Sequence, residues 1–460
     1  MKKQRPYPKL IVTKKAAGSL KAGHPWIFAG EVIRLEPAHD GIQATNGCVV
    51  DVFEENGTWQ GAALLSEASN IRARVVSRNA NDLVNRAFWQ RKLSWAWQYR
   101  KQVMEPRSLP SAVSDVTACR LIFSEADGIP GLVIDRYGDV LVSQIGTVGI
   151  ELIRDELYGL LLEILQADSQ EIRGIYERCD STIRKKEGLE LRQGWWRPSA
   201  QSQLRRAEQH EHAGILESSA PSTLKNSSES AEQTLSLDTS RVVYEGDIAY
   251  AIDLAHGQKT GFFLDQKYNR RAVRRLSEGR RMLDCFSHVG GFGLNAVAGG
   301  ADFARCVDIS ESAIEAVRVN AKLNGFDERL SHACANVFDY LGKLKESKQY
   351  LRDEGGPFDL IVLDPPAFTK SRSAAQSAAR GYRQINALAM KLLPRGSYLA
   401  TCSCSHFMPT ERFLSVVAQA AHDAGVQLRQ VEARQQAPDH PIVVGIPETD
   451  YLKFFVFQIV

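Results

Sequence analysis

Between residues 241 and 460 the chain alternates short apolar runs with amphipathic helical stretches, and no other feature narrows the choice of fold as much. The runs are RMLDCF, ARCVDIS, LSHACANVF, FDLIVLDPP, SYLATCSCS, VQLRQVEAR and YLKFFVFQIV, each about the length of one strand. Helical spacing fills most of the gaps, as in ESAIEAVRVNAKLNG and AAQSAARGYRQINALAMKLL. Strand–helix–strand alternation joins parallel strands by crossovers, so this region predicts an α/β fold with a doubly wound parallel sheet. Only a loop separates VQLRQVEAR from the last run, and the sheet is expected to end in an antiparallel hairpin.

The rest of the chain reads differently. At 460 residues two or three domains are expected. Residues 1–78 hold short β-like runs (KLIVTKK, GCVVDVFEENGTWQGAALL, NIRARVVS), with ENGTW as a hairpin turn, and predict a small β-barrel-like module. Residues 79–194 open on the helical stretch NDLVNRAFWQRKLSWAWQYRKQ. Its Phe88, Trp89, Trp95 and Trp97 suit a core-facing stripe better than a base-stacking surface. Strand-like runs around ADGIPG, a helix near 151–166 and a strand near 171–178 follow, which makes this a central α+β domain. Residues 195–240 lose apolar periodicity to Ser, Gln, Glu and Ala and read as an insertion or linker, with Trp195 and Trp196 at its entrance. Residues 241–460 form the last domain.

A net charge of +3 permits a nucleic-acid partner without arguing for one. The start is basic but lacks the apolar core of a signal peptide, and no apolar run reaches bilayer length, so a cytoplasmic protein without a membrane partner is expected. The eight cysteines include no CxxC or CxxH pair, so no metal site is expected, and free thiols are favoured over disulfides.

Two strand ends carry the chemistry. LDCFSHVGGFG (283–293) follows the first strand of the sheet and leads into a helix. Its glycines, among them Gly290 and Gly291, let the backbone approach a ligand, and Asp284 precedes them. The spacing is not the G-x-G-x-x-G of a dinucleotide site. It suits a cofactor with a free amino group and no phosphate, such as S-adenosylmethionine. Asp308, ending the second strand, can accept both ribose hydroxyls, and Asn336, ending the third, an adenine edge.

VLDPPAF (362–368) ends the fourth strand with Asp364 and main-chain carbonyls facing the crevice. One reading is methylation of a base amino group, in which an aromatic after DPP stacks on the base; here Ala367 follows, and Phe368 comes one later. The other uses TCSCS (401–405): a thiolate adding to carbon 6 of cytosine makes carbon 5 nucleophilic. Missing partner ligands disfavour a metal and strand geometry disfavours a Cys402–Cys404 disulfide, whereas buried filler remains a competitor. Strand alternation points both cysteines to one face; Cys404 lies nearer the carboxyl end, where ligands bind in open α/β sheets.

Together these motifs resemble the bacterial large-subunit (23S) ribosomal RNA cytosine-C5 methyltransferase family. The resemblance is carried by HPWIFAGEV (24–32), IRARV (71–75), EADGIPGLVIDRYG (125–138), IRKKEGLEL (183–191), HGQKTGFFLDQ (256–266), LDCFSHVGGFG, VLDPPAF, RGYRQIN (380–386), TCSCS, DHP (439–441) and YLKFF (451–455), in order and almost end to end. It implies an N-terminal PUA domain that binds RNA, a central α+β domain and a class I, Rossmann-like methyltransferase domain using S-adenosylmethionine. It implies that Cys404 is the nucleophile and that Asp364 contacts the target base. Phe263, Asp265, Gln266, Asp284, Phe286, Gly290, Gly291, Asp308, Asn336 and Asp364 would line the cofactor pocket. Ribosomal RNA is the implied partner, and a homodimer is left open. The family usually has an aromatic where this chain has Cys402 and an Asp where it has Asn336. Competing readings are a base-nitrogen RNA methyltransferase with structural cysteines, and a non-catalytic RNA-binding protein.

Overall fold

Runs of Val, Ile, Leu and Cys with no polar alternation cannot face water on either side, and they assemble accordingly at the centre of the C-terminal region. The computed structural model describes residues 5–107, 109–110, 112–198, 238–257, 260–368 and 375–460. By contacts the chain divides into two compact units, Met1–Tyr99 with Leu121–Arg241 and Asp253–Gly261, and Arg100–Arg120 with Val242–Ile252 and Phe262–Val460.

The second unit contains the seven-stranded sheet. Its strands are β1 (Arg281–Cys285), β2 (Phe303–Asp308), β3 (Leu330–Cys334), β4 (Leu360–Leu363), β5 (Tyr398–Ser403), β6 (Leu428–Arg434) and β7 (Lys453–Ile459). Their order is β3-β2-β1-β4-β5-β7-β6. The first five are parallel, and β7 runs antiparallel to both β5 and β6, giving the expected hairpin at the end of the sheet. The helices of eight or more residues that lie wholly in this unit are α1 (Lys267–Arg274), α2 (Gly291–Ala298), α3 (Glu311–Leu323), α4 (Val337–Glu346), α5 (Ala375–Leu392) and α6 (Thr410–Ala424). Ser310 caps α3 by accepting the Ala313 N–H, and Gly425, at φ 69°, ends α6 in the left-handed conformation that glycine adopts without cost. Leu283, Ile361, Leu363, Tyr382, Met390, Leu399, Phe413 and Phe455 share one buried cluster between α4, α5, α6 and the sheet. Each contributes about 1.5–3 kcal/mol by leaving water, so the strand ends stand on a rigid base.

The first unit carries a six-stranded sheet ordered Trp26–Phe28, Ile71–Ser77, Trp59–Leu65, Val49–Glu54, Lys9–Val12, Val32–Glu36. Register shifts in four of its pairings curve it around Leu10, Val12, Ile27, Val50, Val52 and Val75. A five-stranded sheet, Arg192–Trp195, Gly174–Cys179, Val140–Ile145, Leu132–Tyr137, Ala118–Phe123, follows. In the helix Arg86–Met104, Phe88, Trp89 and Trp97 are buried and Trp95 is exposed, so three of the four aromatics form the expected core stripe. Trp195 packs edge-on against Tyr176, and Trp196 donates to Asp155 at 2.9 Å. Of the expected insertion, residues 199–237 lie outside the described residues, as do Gln258 and Lys259 of the HGQKTGFFLDQ motif.

Candidate active site

Strand register brings the sequence candidates together. The strand order reverses between β1 and β4, and open α/β sheets form their binding crevice at such a point. Cys285 lies opposite Leu363, and the next residue, Asp364, donates its N–H to the Cys285 carbonyl at 3.3 Å. Leu363 also lies opposite Thr401, which sets Cys402 level with Asp364 and Cys404 just past the end of β5.

Asp284 is fully buried. Its Oδ2 accepts the Gly293 N–H at 2.9 Å, while its Oδ1 has no hydrogen-bond partner among the described residues. Burial, then repulsion from Asp364 and Asp308, pushes its pKa up to about 8. Asp308 is held by two main-chain amides, His288 N–H at 2.9 Å and Ser310 N–H at 3.0 Å. The loop so pinned is strained: Phe286 and His288 have φ of 62° and 49°, two of four such non-glycine residues among those described. Ser287 Oγ in this loop is also buried without a partner among the described residues.

The glycines serve packing more directly than ligand approach. A Cβ on Gly293 would lie 2.5 Å from Cys306 Sγ, and one on Gly291 2.9 Å from Arg270 Cδ. Gly290 combines φ 83° with the N-cap of α2. These contacts let α2 start close enough to β1 and β2 for Gly293 to reach Asp284.

The turn before α1 completes the crevice. Gln266 Nε2 donates to Asp364 Oδ2 at 3.0 Å and to Cys402 Sγ at 3.7 Å, and its Oε1 accepts from Asn269 at 2.6 Å. Cys402 therefore has a place: a buried thiol, its pKa raised well above the ordinary value by desolvation and Asp364, against the amide that orients that carboxylate. Cys404 is half-buried, with Sγ 4.0 Å from the Pro365 carbonyl. Phe263 packs edge-on against His288 at 4.9 Å, and Asp265 accepts the Tyr451 hydroxyl at 2.8 Å. Phe286 turns its ring to the core cluster. Asn336 follows Ala335, whose N–H donates to the Asp308 carbonyl, but its side chain caps α4 by accepting from Phe338 and Asp339. The acceptor oxygen assigned to an adenine edge is already engaged, and Nδ2 remains for that contact.

A buried carboxylate oxygen without a donor, with two further carboxylates in Coulombic range, favours a cationic ligand. S-adenosylmethionine, which carries an ammonium and a sulfonium, fits these residues. Comparison with known proteins agrees. The family described as S-adenosylmethionine-dependent methyltransferase matches residues 222–455, and a PUA-like domain matches residues 10–78. The protein named ribosomal RNA large subunit methyltransferase I of Cronobacter sakazakii is 36% identical over 452 residues, 98% of this chain and 99% of its own length. Its Klebsiella pneumoniae namesake is 35% identical over 454 residues, 98% of each chain. The chain belongs to the ribosomal RNA large subunit methyltransferase I family. SMU.776, solved in complex with SAH, superposes with a TM-score of 0.71 at 20% identity over 98% of this chain and 99% of its own, a likeness of fold.

The methyltransferase's cofactor is S-adenosylmethionine. Among the described residues no group of three or more His, Cys, Asp and Glu side chains is arranged to hold a metal, and no helix is long and apolar enough to cross a membrane. Three further side chains of this methyltransferase support the site, none of them marked by the carboxyl end of a strand. Tyr382, within RGYRQIN, accepts the Ser403 hydroxyl at 3.1 Å beneath the cysteine strand end. Asn269 orients Gln266. Lys453 is a buried cation in the apolar run YLKFFVFQIV, and that mismatch was the available signal.

Proposed function

We propose that this methyltransferase forms 5-methylcytosine in large-subunit ribosomal RNA through a transient bond between Cys404 and carbon 6 of the ring. The observation that carries it is a half-buried thiol beside a carboxylate at two adjacent strand ends, Cys404 past β5 and Asp364 past β4. The other cysteines of the unit do not combine these features: Cys285, Cys306 and Cys402 are buried, and Cys334 is exposed at the end of β3. The relatives' names supply the RNA, and the PUA-like domain supports a role in gripping it, with Lys and Arg meeting phosphates and shape.

S-adenosylmethionine supplies an electrophilic methyl group. The Cys404 thiolate adds to carbon 6, and the electrons of the 5,6 double bond make carbon 5 the nucleophile. Asp364, held by Gln266, accepts from the 4-amino group and fixes the ring's orientation. Taking the methyl group would leave S-adenosylhomocysteine; carbon 5 then gives its proton to solvent water, the double bond re-forms, and the carbon–sulfur bond breaks to return the thiolate. Asp284, with a buried oxygen unpartnered among the described residues, would hold the cofactor's ammonium and Asp308 its ribose hydroxyls. The nitrogen-methylating alternative needs an aromatic free to stack on the base. Phe368 instead packs against Tyr382 at 4.7 Å and Phe338 at 6.0 Å, on the core side.

The test is methylation of unmodified large-subunit ribosomal RNA with labelled cofactor by wild type, Cys404→Ser and Cys404→Ala. Loss of activity in both variants and 5-methylcytosine among the wild-type product nucleosides are expected. Undiminished methylation in both variants, or a nitrogen-methylated product, would sink the thiol-addition chemistry.

A further inference from the structure

The hydrogen-bonded register that sets Cys404 past the end of β5 also brings a buried cation to it. Ser403 pairs with Lys453 of β7. The Lys453 side chain is 5% exposed, and its ammonium donates to the main-chain carbonyls of Ser405 at 2.9 Å and Tyr451 at 3.1 Å. An ammonium has three donors, and among the described residues the third has no acceptor. Among the described residues no carboxylate is paired with it either, and Asp450 acts on Lys453 through space. A buried charge without a paired carboxylate is costly to maintain, and an apolar β7 would be satisfied by methionine or leucine. Two groups act on the ammonium through space, the Asp450 carboxylate and, next to the anchored Ser405, the Cys404 thiol.

We infer that the Lys453 ammonium holds Cys404 as the thiolate that adds to the base, which makes Lys453 a positioning residue for the nucleophile. Two contributions act together. Anchoring the Ser405 carbonyl fixes the turn that carries Cys404, and the positive charge favours the ionised sulfur over the thiol. Tyr382 of α5 and Cys402 of β5, each coupled to both Cys404 and Asp364, add no positive charge there and oppose a further anion. Burial pulls the Lys453 ammonium below its ordinary range, whereas Asp450 and Cys404 pull it back up. Ion and counter-ion thus stabilise each other where each alone is disfavoured.

The inference rests on Cys404 as the nucleophile, and its test reads the sulfur directly. Full-length protein is alkylated with iodoacetamide across a pH series, and labelling at Cys404 is followed by mass spectrometry of its peptide. Removing an opposite charge at this range is expected to raise the alkylation midpoint by about one pH unit. That rise is expected in Lys453→Met and in Lys453→Gln, whose amide still donates to a carbonyl. Lys453→Arg keeps the charge and is expected to stay at the wild-type midpoint. An unchanged midpoint in Lys453→Gln would overturn the inference, whatever becomes of the methionine variant. If Cys404→Ser methylates at full rate, the thiol-addition reading falls while the midpoints still report the charge. If Cys404→Ser is inactive and the midpoints coincide, the role of Lys453 alone falls.

Discussion

Binding of the cofactor should release a proton from Asp284. The carboxyl is buried, has one oxygen without a donor among the described residues, and is pushed up to about 8. At pH 7 about nine in ten of these carboxyls are then protonated in the cofactor-free protein. A ligand ammonium needs the ionised form, so binding at pH 7 should release about 0.9 proton per cofactor. Ionising the group costs about 1.4 kcal/mol at pH 7 and about 2.7 kcal/mol at pH 6, so affinity should fall about tenfold between the two. Isothermal titration with S-adenosylhomocysteine, in buffers of different ionisation heat, measures both quantities; its amino group stays largely charged at both pH values. Asp284→Asn should bind more weakly, without proton release and with a flat pH dependence. The same shift sets a second sign. The folded-state pKa lies above the ordinary value near 4, so the cofactor-free chain loses stability as pH rises from about 4 to about 8. Asp284→Asn should accordingly melt higher than wild type at pH 8 and no higher at pH 4. Buffer-independent heats with equal affinity at pH 6 and 7 would refute the assignment of Asp284 as the ammonium's partner.

Two further outcomes follow from the packing. Gly293→Ala puts a Cβ 2.5 Å from Cys306 Sγ and should cost about 1–3 kcal/mol of stability by overpacking. Cys306→Ala in the same chain should restore most of that loss in thermal melts, and additive losses would count against the clash. Gln266→Leu removes the donor that holds Asp364 Oδ2 at 3.0 Å. A hydrogen bond to a charged group contributes about 1.5–3 kcal/mol, so the methylation rate should drop about ten- to a hundredfold; an unchanged rate would remove Gln266 from the support of Asp364.

What could be read from the sequence is what one strand and its own end can encode. Asp284, Asp308, Asp364 and Cys404 each close or follow an apolar run, and parallel strands bring their carboxyl ends to one crevice whatever the details of packing. The seven runs and the final hairpin follow from the same local signals. What escaped is set by contacts between distant segments. Gln266 meets Asp364 across 98 residues, and Lys453 meets Ser405 across 48, with no periodicity linking either pair. The place of Cys402 is hidden for the same reason, because its partner Gln266 lies 136 residues away. Asn336 shows the converse. A residue between a strand and a helix is also an N-cap, and two amides of α4 compete for the oxygen that a ligand-centred reading reserves for adenine. An Asp at that position would keep a second carboxylate oxygen after capping, whereas Asn keeps only a donor. Nδ2 of Asn336 would meet a ring nitrogen of adenine but not its exocyclic amine. Asn336→Asp should therefore change adenosine recognition through the donor–acceptor pattern, leaving the cap on α4 intact.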